Sequence, residues 1–159
     1  PATVEIYTLS LHDALPILAH FYVLGDYTIH GTPREWAMEV VSAYSKHSAD
    51  RVVGEVNNGG ELVESNIRTV APDISYSDVH ASRGKAIRAE PVSSLYEQGR
   101  VHHVGSYPLL EDQMCDWVPG ESESPDRVDA LVWAITKLTA EKTVDINISS
   151  LFQTTSRRT

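Results

Sequence analysis

Cysteine is nearly absent: Cys115 stands alone in 159 residues. That excludes a disulfide framework and a cysteine-based zinc site, and it fits a reducing, intracellular setting. No apolar run approaches the roughly 20 residues needed to cross a bilayer, so nothing points to an integral membrane protein. Positive charge is also scarce. Thirteen Lys and Arg stand against 22 Asp and Glu, for a net charge of −9. Proteins that grip nucleic acid by bulk charge are basic, so any such contact here has to be local, metal-assisted or shared with another domain. There is no Walker A loop, dinucleotide fingerprint or G-x-S-x-G elbow, no internal repeat, and no basic-then-apolar leader of a signal peptide. The remainder is ordinary globular material, 42% apolar and 22% charged, of a length that suits one domain.

From residue 20 onward the chain alternates strand-like and helix-like stretches. HFYVLGDYTIHG (20–31) is aromatic and β-branched and reads as a strand or a tight hairpin. Thr32 and Pro33 supply an N-cap and a first helical position. Trp36, Val40, Val41 and Tyr44 then recur at helical spacing, which predicts a helix over 33–47. VVGEV is a short strand broken by Asn57-Asn58-Gly59-Gly60, and ELVESNIRTV a second helix stopped near Pro72. ISYSDVHAS (74–82) alternates as a strand. Residues 86–98 suit a helix, with Pro91 expected in its first turn or at its start, and Gly99 closing it. RVHHVG follows as a strand and LEDQMCDWV as a short helix. In SPDRVDALVWAITKL, Ser124 is the expected cap, and Val128, Leu131, Val132, Ile135 and Leu138 form one apolar stripe. From Glu141 the tail is polar, with VDINI a possible strand. Strands alternating with helices argue for an α/β domain with a largely parallel sheet, whose ligands gather outside the carboxyl ends of the strands.

Glu55 falls at such an end. A carboxylate in an apolar strand is costly to bury unless paired or bound to a metal; the competing reading is a solvent-facing strand end. Asp126 and Asp129 open the last helix, where a carboxylate is favoured by the helix dipole. Spacing of i and i+3 brings the two together, and Asp129 borders the apolar stripe. A strand-end Glu with a helix-start Asp pair could chelate a hard divalent cation through oxygen. His102 and His103 project to opposite faces of their strand and do not readily share a metal. Arg83, Lys85, Arg88 and Arg100 cluster in sequence, either as a solvated face or as a contact surface. The Asn-Asn-Gly-Gly run is a turn, or backbone N–H groups offered to phosphate.

DRVVGEVNNGG, ASRGKAIRAEPVSSLYEQGRVHHVG and LEDQMCDWVPGESESPDRVDALVWA, in that order, resemble the C-terminal nuclease domain of the large terminase subunit of tailed bacteriophages and prophages. The likeness runs from about Phe21 to about Leu138. It implies a ribonuclease H-like α/β fold, a mixed sheet flanked by helices. It also implies an endonuclease that cuts concatemeric viral DNA during packaging with two divalent ions, Mg²⁺ or Mn²⁺. Carried over by motif, Glu55 matches the acid on the fourth strand, and Asp126 and Asp129 match the D-x-x-D-A signature, so all three become expected catalytic and metal-binding residues. Which Asp contributes more stays open. Arg83, Lys85 and Arg88 match a basic loop and helix start expected to meet the DNA backbone. The chemistry implied is in-line attack of activated water on a phosphodiester. Implied partners are double-stranded DNA, the terminase ATPase domain, the small terminase subunit and the portal, with no membrane, in the cytoplasm of an infected or lysogenic host. Two other readings are a non-catalytic docking module of the packaging machine and a junction-resolving nuclease of the same fold class.

The family also requires a central strand ending in Asp, and a hairpin partner for it, before residue 20. PATVEIYTLSLHDALPIL stands there instead. Glu5 to Ile17 resemble, without a break, the translation of a common short-read sequencing adapter; Val4 departs from it. The expected layout is therefore an adapter-encoded segment at 1–18, a partial nuclease domain at 19–140 with its N-terminal strands missing or replaced, and a polar tail at 141–159. Asp13 is then not the family's first acid. A domain lacking its central strand is expected to be less stable and catalytically impaired, unless the substitute segment pairs in its place.

Overall fold

The structure is a computed structural model. It describes the backbone of residues 2–4, 7–12, 20–56, 61–81, 84–118 and 125–154, and the side chains of 20–56, 62–81, 84–118 and 125–140. In chain order the elements are β1 (Ala2–Val4), β2 (Tyr7–His12), β3 (His20–Asp26), β4 (Ile29–Gly31), α1 (Pro33–Lys46), β5 (Val52–Glu55), α2 (Glu61–Val70), β6 (Tyr76–Val79), α3 (Lys85–Glu97), β7 (Val101–His103), α4 (Pro108–Asp116) and α5 (Asp126–Thr154).

The strands form three hydrogen-bonded groups: β1-β4, β2-β3-β7 and β5-β6. The pairings of β3 with β7 and of β5 with β6 are parallel, whereas β1–β4 and β2–β3 are antiparallel. The sheet is thus mixed, rather than largely parallel. Residues 20–31 are not a hairpin. β3 and β4 follow one another along the chain, and each takes its partner from the N-terminal segment. His12 faces His20, Tyr7 faces Asp26 and Val4 faces Ile29, with one register shift between Thr8 and Leu9. The opening segment therefore does pair: its backbone satisfies an edge of β3 that would otherwise lack partners. Among the described residues no ladder joins β2 to β5.

Side-chain alternation along β3 places Phe21 and Val23 in one core, with Val92 of α3, Val101 of β7, Leu110 of α4, and Val128, Leu131, Val132 and Ile135 of α5. Those last four belong to the apolar stripe read from the sequence, and its fifth member, Leu138, packs against them partly buried. A second core joins Trp36, Ala37 and Val40 of α1 to Ile67 of α2 and Ile74. α5 packs against α3, α4, β2 and β5, which brings the ends of these elements together.

Local chemistry explains the boundaries. At α1, Thr32 and Glu35 form a reciprocal capping box with Pro33 in the first turn. The Thr32 backbone N–H donates to Glu35 Oε2 at 2.7 Å. α3 ends at Gly99, which has φ +64°, a conformation glycine adopts without strain. Its N–H donates to the Tyr96 carbonyl at 2.9 Å.

Two expectations are corrected. Pro91 lies inside α3, beyond its first turn. The carbonyl left without a helical donor is that of Ile87, which is 57% exposed, so water can serve it. VDINI is no strand: α5 continues through 144–148 to Thr154. Its alternating β-branched residues fit a strand, yet a nucleated helix gains one bond for each residue added. Ser124, the expected cap of α5, lies outside the described residues.

Candidate active site

β5 ends at Glu55, α3 begins at Lys85, and Asp129 lies in the first turns of α5. The packing of α5 on α3 and β5 converges these three ends. Asp129 is 6% exposed, a charged residue within an otherwise apolar core surface. Burial of that kind requires compensation, and it is supplied from α3. Arg88 Nη2 donates to Asp129 Oδ1 at 2.7 Å, while Lys85 Nζ lies 3.4 Å from the other oxygen, Oδ2. The same Arg88 nitrogen stands 4.0 Å from Glu55 Oε1. The Arg88 side chain is only 8% exposed, and its guanidinium lies over the Trp133 ring, 4.6 Å from the centroid. Glu55 is partly exposed and Lys85 more so. Two carboxylates and two cations thus form one neutral cluster, open on the Glu55 and Lys85 side.

On the face of β5 away from the Glu55 side chain, a Cβ on Gly54 would collide with the Tyr76 hydroxyl, so glycine here lets the Tyr76 ring lie across the strand. Burial pushes the Tyr76 hydroxyl up from its usual range.

Of the residues expected from sequence, Glu55, Lys85, Arg88 and Asp129 come together. Asp126 is exposed and outside the cluster. Arg83 and the Asn57–Gly60 run lie outside the described residues. His102 and His103 do point to opposite faces. His102 pairs with His20 Nδ1 at 2.7 Å, whereas His103 contacts Tyr96 Oη at 2.8 Å and Glu111 Oε1 at 3.0 Å. Contacts from His103 and from the Tyr107 N–H hold the Glu111 carboxyl below its ordinary range.

Sequence reading missed two groups. Trp133 sits one helical turn beyond Asp129, and that i,i+4 spacing was the available signal. Asp26 ends β3 and accepts from Arg127 Nε at 3.0 Å and from the Thr28 N–H at 3.1 Å. This pair ties β3 to the start of α5, and no local pattern announces a contact 101 residues apart.

Glu55 and Asp129 offer oxygen only, the donor type of hard divalent ions. Their convergence on one guanidinium nitrogen marks a position where positive charge is already favoured. As donors, the two could serve one such ion, with water or phosphate oxygens completing its shell. Among the described residues no group of three or more His, Cys, Asp or Glu is assembled to hold a metal, so a two-ion set is not complete there. Also among the described residues, no helix is long and apolar enough to cross a membrane.

No curated protein matches the chain. Residues 18–138 match the family model described as the terminase RNaseH-like domain. That span covers most of the chain, including both cores, Glu55, the α3 cations and Asp129, and so the chain belongs to the terminase RNaseH-like domain family, a nuclease-type module of the DNA-packaging machinery.

Proposed function

We propose that the chain is a metal-dependent DNA endonuclease domain of a phage terminase, cutting concatemeric viral DNA during genome packaging. The observation that carries this reading is the convergence of Glu55 and Asp129 on the Arg88 guanidinium, in a chain of this family. Glu55 and Asp129 hold the ion, Mg²⁺ or Mn²⁺. When bound, it supplies Lewis-acid stabilisation of charge on a phosphodiester and its leaving oxygen. Asp129 is fixed by its buried contacts, while Glu55 reaches the open side where substrate arrives. In this reading Lys85, 43% exposed, meets a DNA phosphate, and Arg83, which lies outside the described residues, takes the same role from its motif alone. Asp126, on the exposed face, belongs to the same signature and contributes a carboxylate if the second ion is held. Partners in this reading are double-stranded DNA, the terminase ATPase domain, the small subunit and the portal, within the bacterial host.

We also propose that residues 1–18 are adapter-encoded and stand where the family's first acid belongs. The chain then carries part of the site and cleaves slowly. Supercoiled plasmid incubated with Mn²⁺ tests this. Nicking is expected to rise when residues 1–18 are replaced by a strand ending in Asp, and Glu55→Ala is expected to abolish it. Undiminished nicking by Glu55→Ala removes Glu55 from the mechanism. Metal-independent binding to a portal, with no cleavage even in the strand-restored protein, would instead mark a docking module.

A further inference from the structure

We infer that Arg88 is a resident rival of the divalent ion, a built-in cation that holds Glu55 and Asp129 together and must leave before the ion enters. The inference rests on the reading of Glu55 and Asp129 as ion ligands. One guanidinium nitrogen lies 2.7 Å from Asp129 Oδ1 and 4.0 Å from Glu55 Oε1. An ion bound by both carboxylates needs oxygens at about 2.0–2.6 Å, and so claims much the same volume. The two positive charges would then lie within a few ångströms of each other beside the buried Asp129, on the closed side of the cluster, where water screens little and repulsion is strong. They cannot share the acids.

Arg88 also has somewhere to stay. It lies against the Trp133 face, so retreat from the acids keeps that stacking while releasing the hydrogen bond to Asp129. Lys85 plays a lesser part. It is 43% exposed and touches Asp129 at 3.4 Å, so it can swing into solvent at little cost. The consequence is a threshold: weak occupancy until ion concentration, or a phosphate that gives Arg88 a new partner, tips the exchange.

Mn²⁺ binding measured by calorimetry and by electron paramagnetic resonance, without DNA, tests this. Arg88→Gln is expected to bind Mn²⁺ at least about tenfold more tightly than the unaltered chain, even though its melting temperature without metal falls. Arg88→Lys, which keeps the charge, is expected to stay near the original affinity. A side chain of purely structural importance predicts the reverse: the less stable variant binds no better. Equal or weaker binding by Arg88→Gln overturns the inference. If that variant does not fold, Lys85→Gln is expected to tighten binding about twofold to threefold. Guanidinium ¹⁵N resonances of the unaltered chain are expected to shift for Arg88 on Mg²⁺ titration, and an unmoved Arg88 signal also overturns the inference.

The underlying reading fails separately. Adding Glu55→Gln and Asp129→Asn to Arg88→Gln is expected to abolish binding. Persistence of Mn²⁺ binding in that triple variant places the ion elsewhere and removes both claims. Abolished binding there, with equal affinity in Arg88→Gln and the unaltered chain, leaves the acids as ligands and removes only Arg88 as rival.

Discussion

Asp129 and Asp126 are three positions apart in one helix, have the same chemistry, and occupy opposite circumstances. Asp129 is buried and shares Arg88 and Lys85; Asp126 faces solvent. Removing the first leaves Arg88 buried without its nearest counter-charge. Asp129→Ala is therefore expected to cost about 3–5 kcal/mol, the range for breaking one side of a buried pair. Asp126→Ala loses only a favourable dipole contact, worth under about 1 kcal/mol. Chemical denaturation of both variants checks the ordering, and equal losses would contradict the placement of Asp129. The acids themselves were legible in the sequence as D-x-x-D-A. Their inequality was not, because it depends on α3 approaching α5 from 41 residues away.

The elements were legible where their signals were local. Thr32-Pro33 with Glu35 announced the start of α1, and the stripe from Val128 to Leu138 announced the buried face of α5. Pro91 and VDINI misled for a common reason: each obeys a local preference that the surrounding helix overrides. The α1 cap leads to a pH prediction. Hydrogen bonds from the Thr32 backbone N–H and hydroxyl hold the Glu35 carboxyl below its ordinary range. A folded pKa below the unfolded one means that the cap contributes above the unfolded value and is lost as pH falls through the folded one. Glu111, lowered by His103 and the Tyr107 N–H, has the same sign. Stability is therefore expected to decline on acidification below about pH 4.5, less steeply in a Glu35→Gln, Glu111→Gln double variant. Melting temperatures across pH 3–6 check the slope, and parallel curves would sink the assignment.

At the scale of the molecule, the two cores have different owners. β3 and β7 lie over the α3–α4–α5 core, while the α1–α2 core also takes in Val52 and Tyr76 of β5 and β6. No described ladder joins β2-β3-β7 to β5-β6, and α5 packs against a strand of each. Ladders make neighbouring strands open together, and their absence permits separate opening. Amides of β5 and β6 are expected to exchange with solvent at a lower opening free energy than those of β3 and β7. Native-state hydrogen exchange in dilute denaturant reads this directly, and one common opening energy for all four strands would refute it. An alternation of strands and helices was visible in the sequence; the division of the sheet was not. It depends on which edge the opening segment occupies, and backbone pairing is largely indifferent to the side chains that accompany it.

Trp133 gives the site an optical voice. An indole under a guanidinium sits in the field of a charge 4.6 Å away, and indole emission responds to nearby charge. Any event that draws Arg88 from Asp129, whether ion entry or phosphate arrival, alters that field at once. The residue that cushions the buried arginine thus makes the state of the acids observable by fluorescence, with no dye attached.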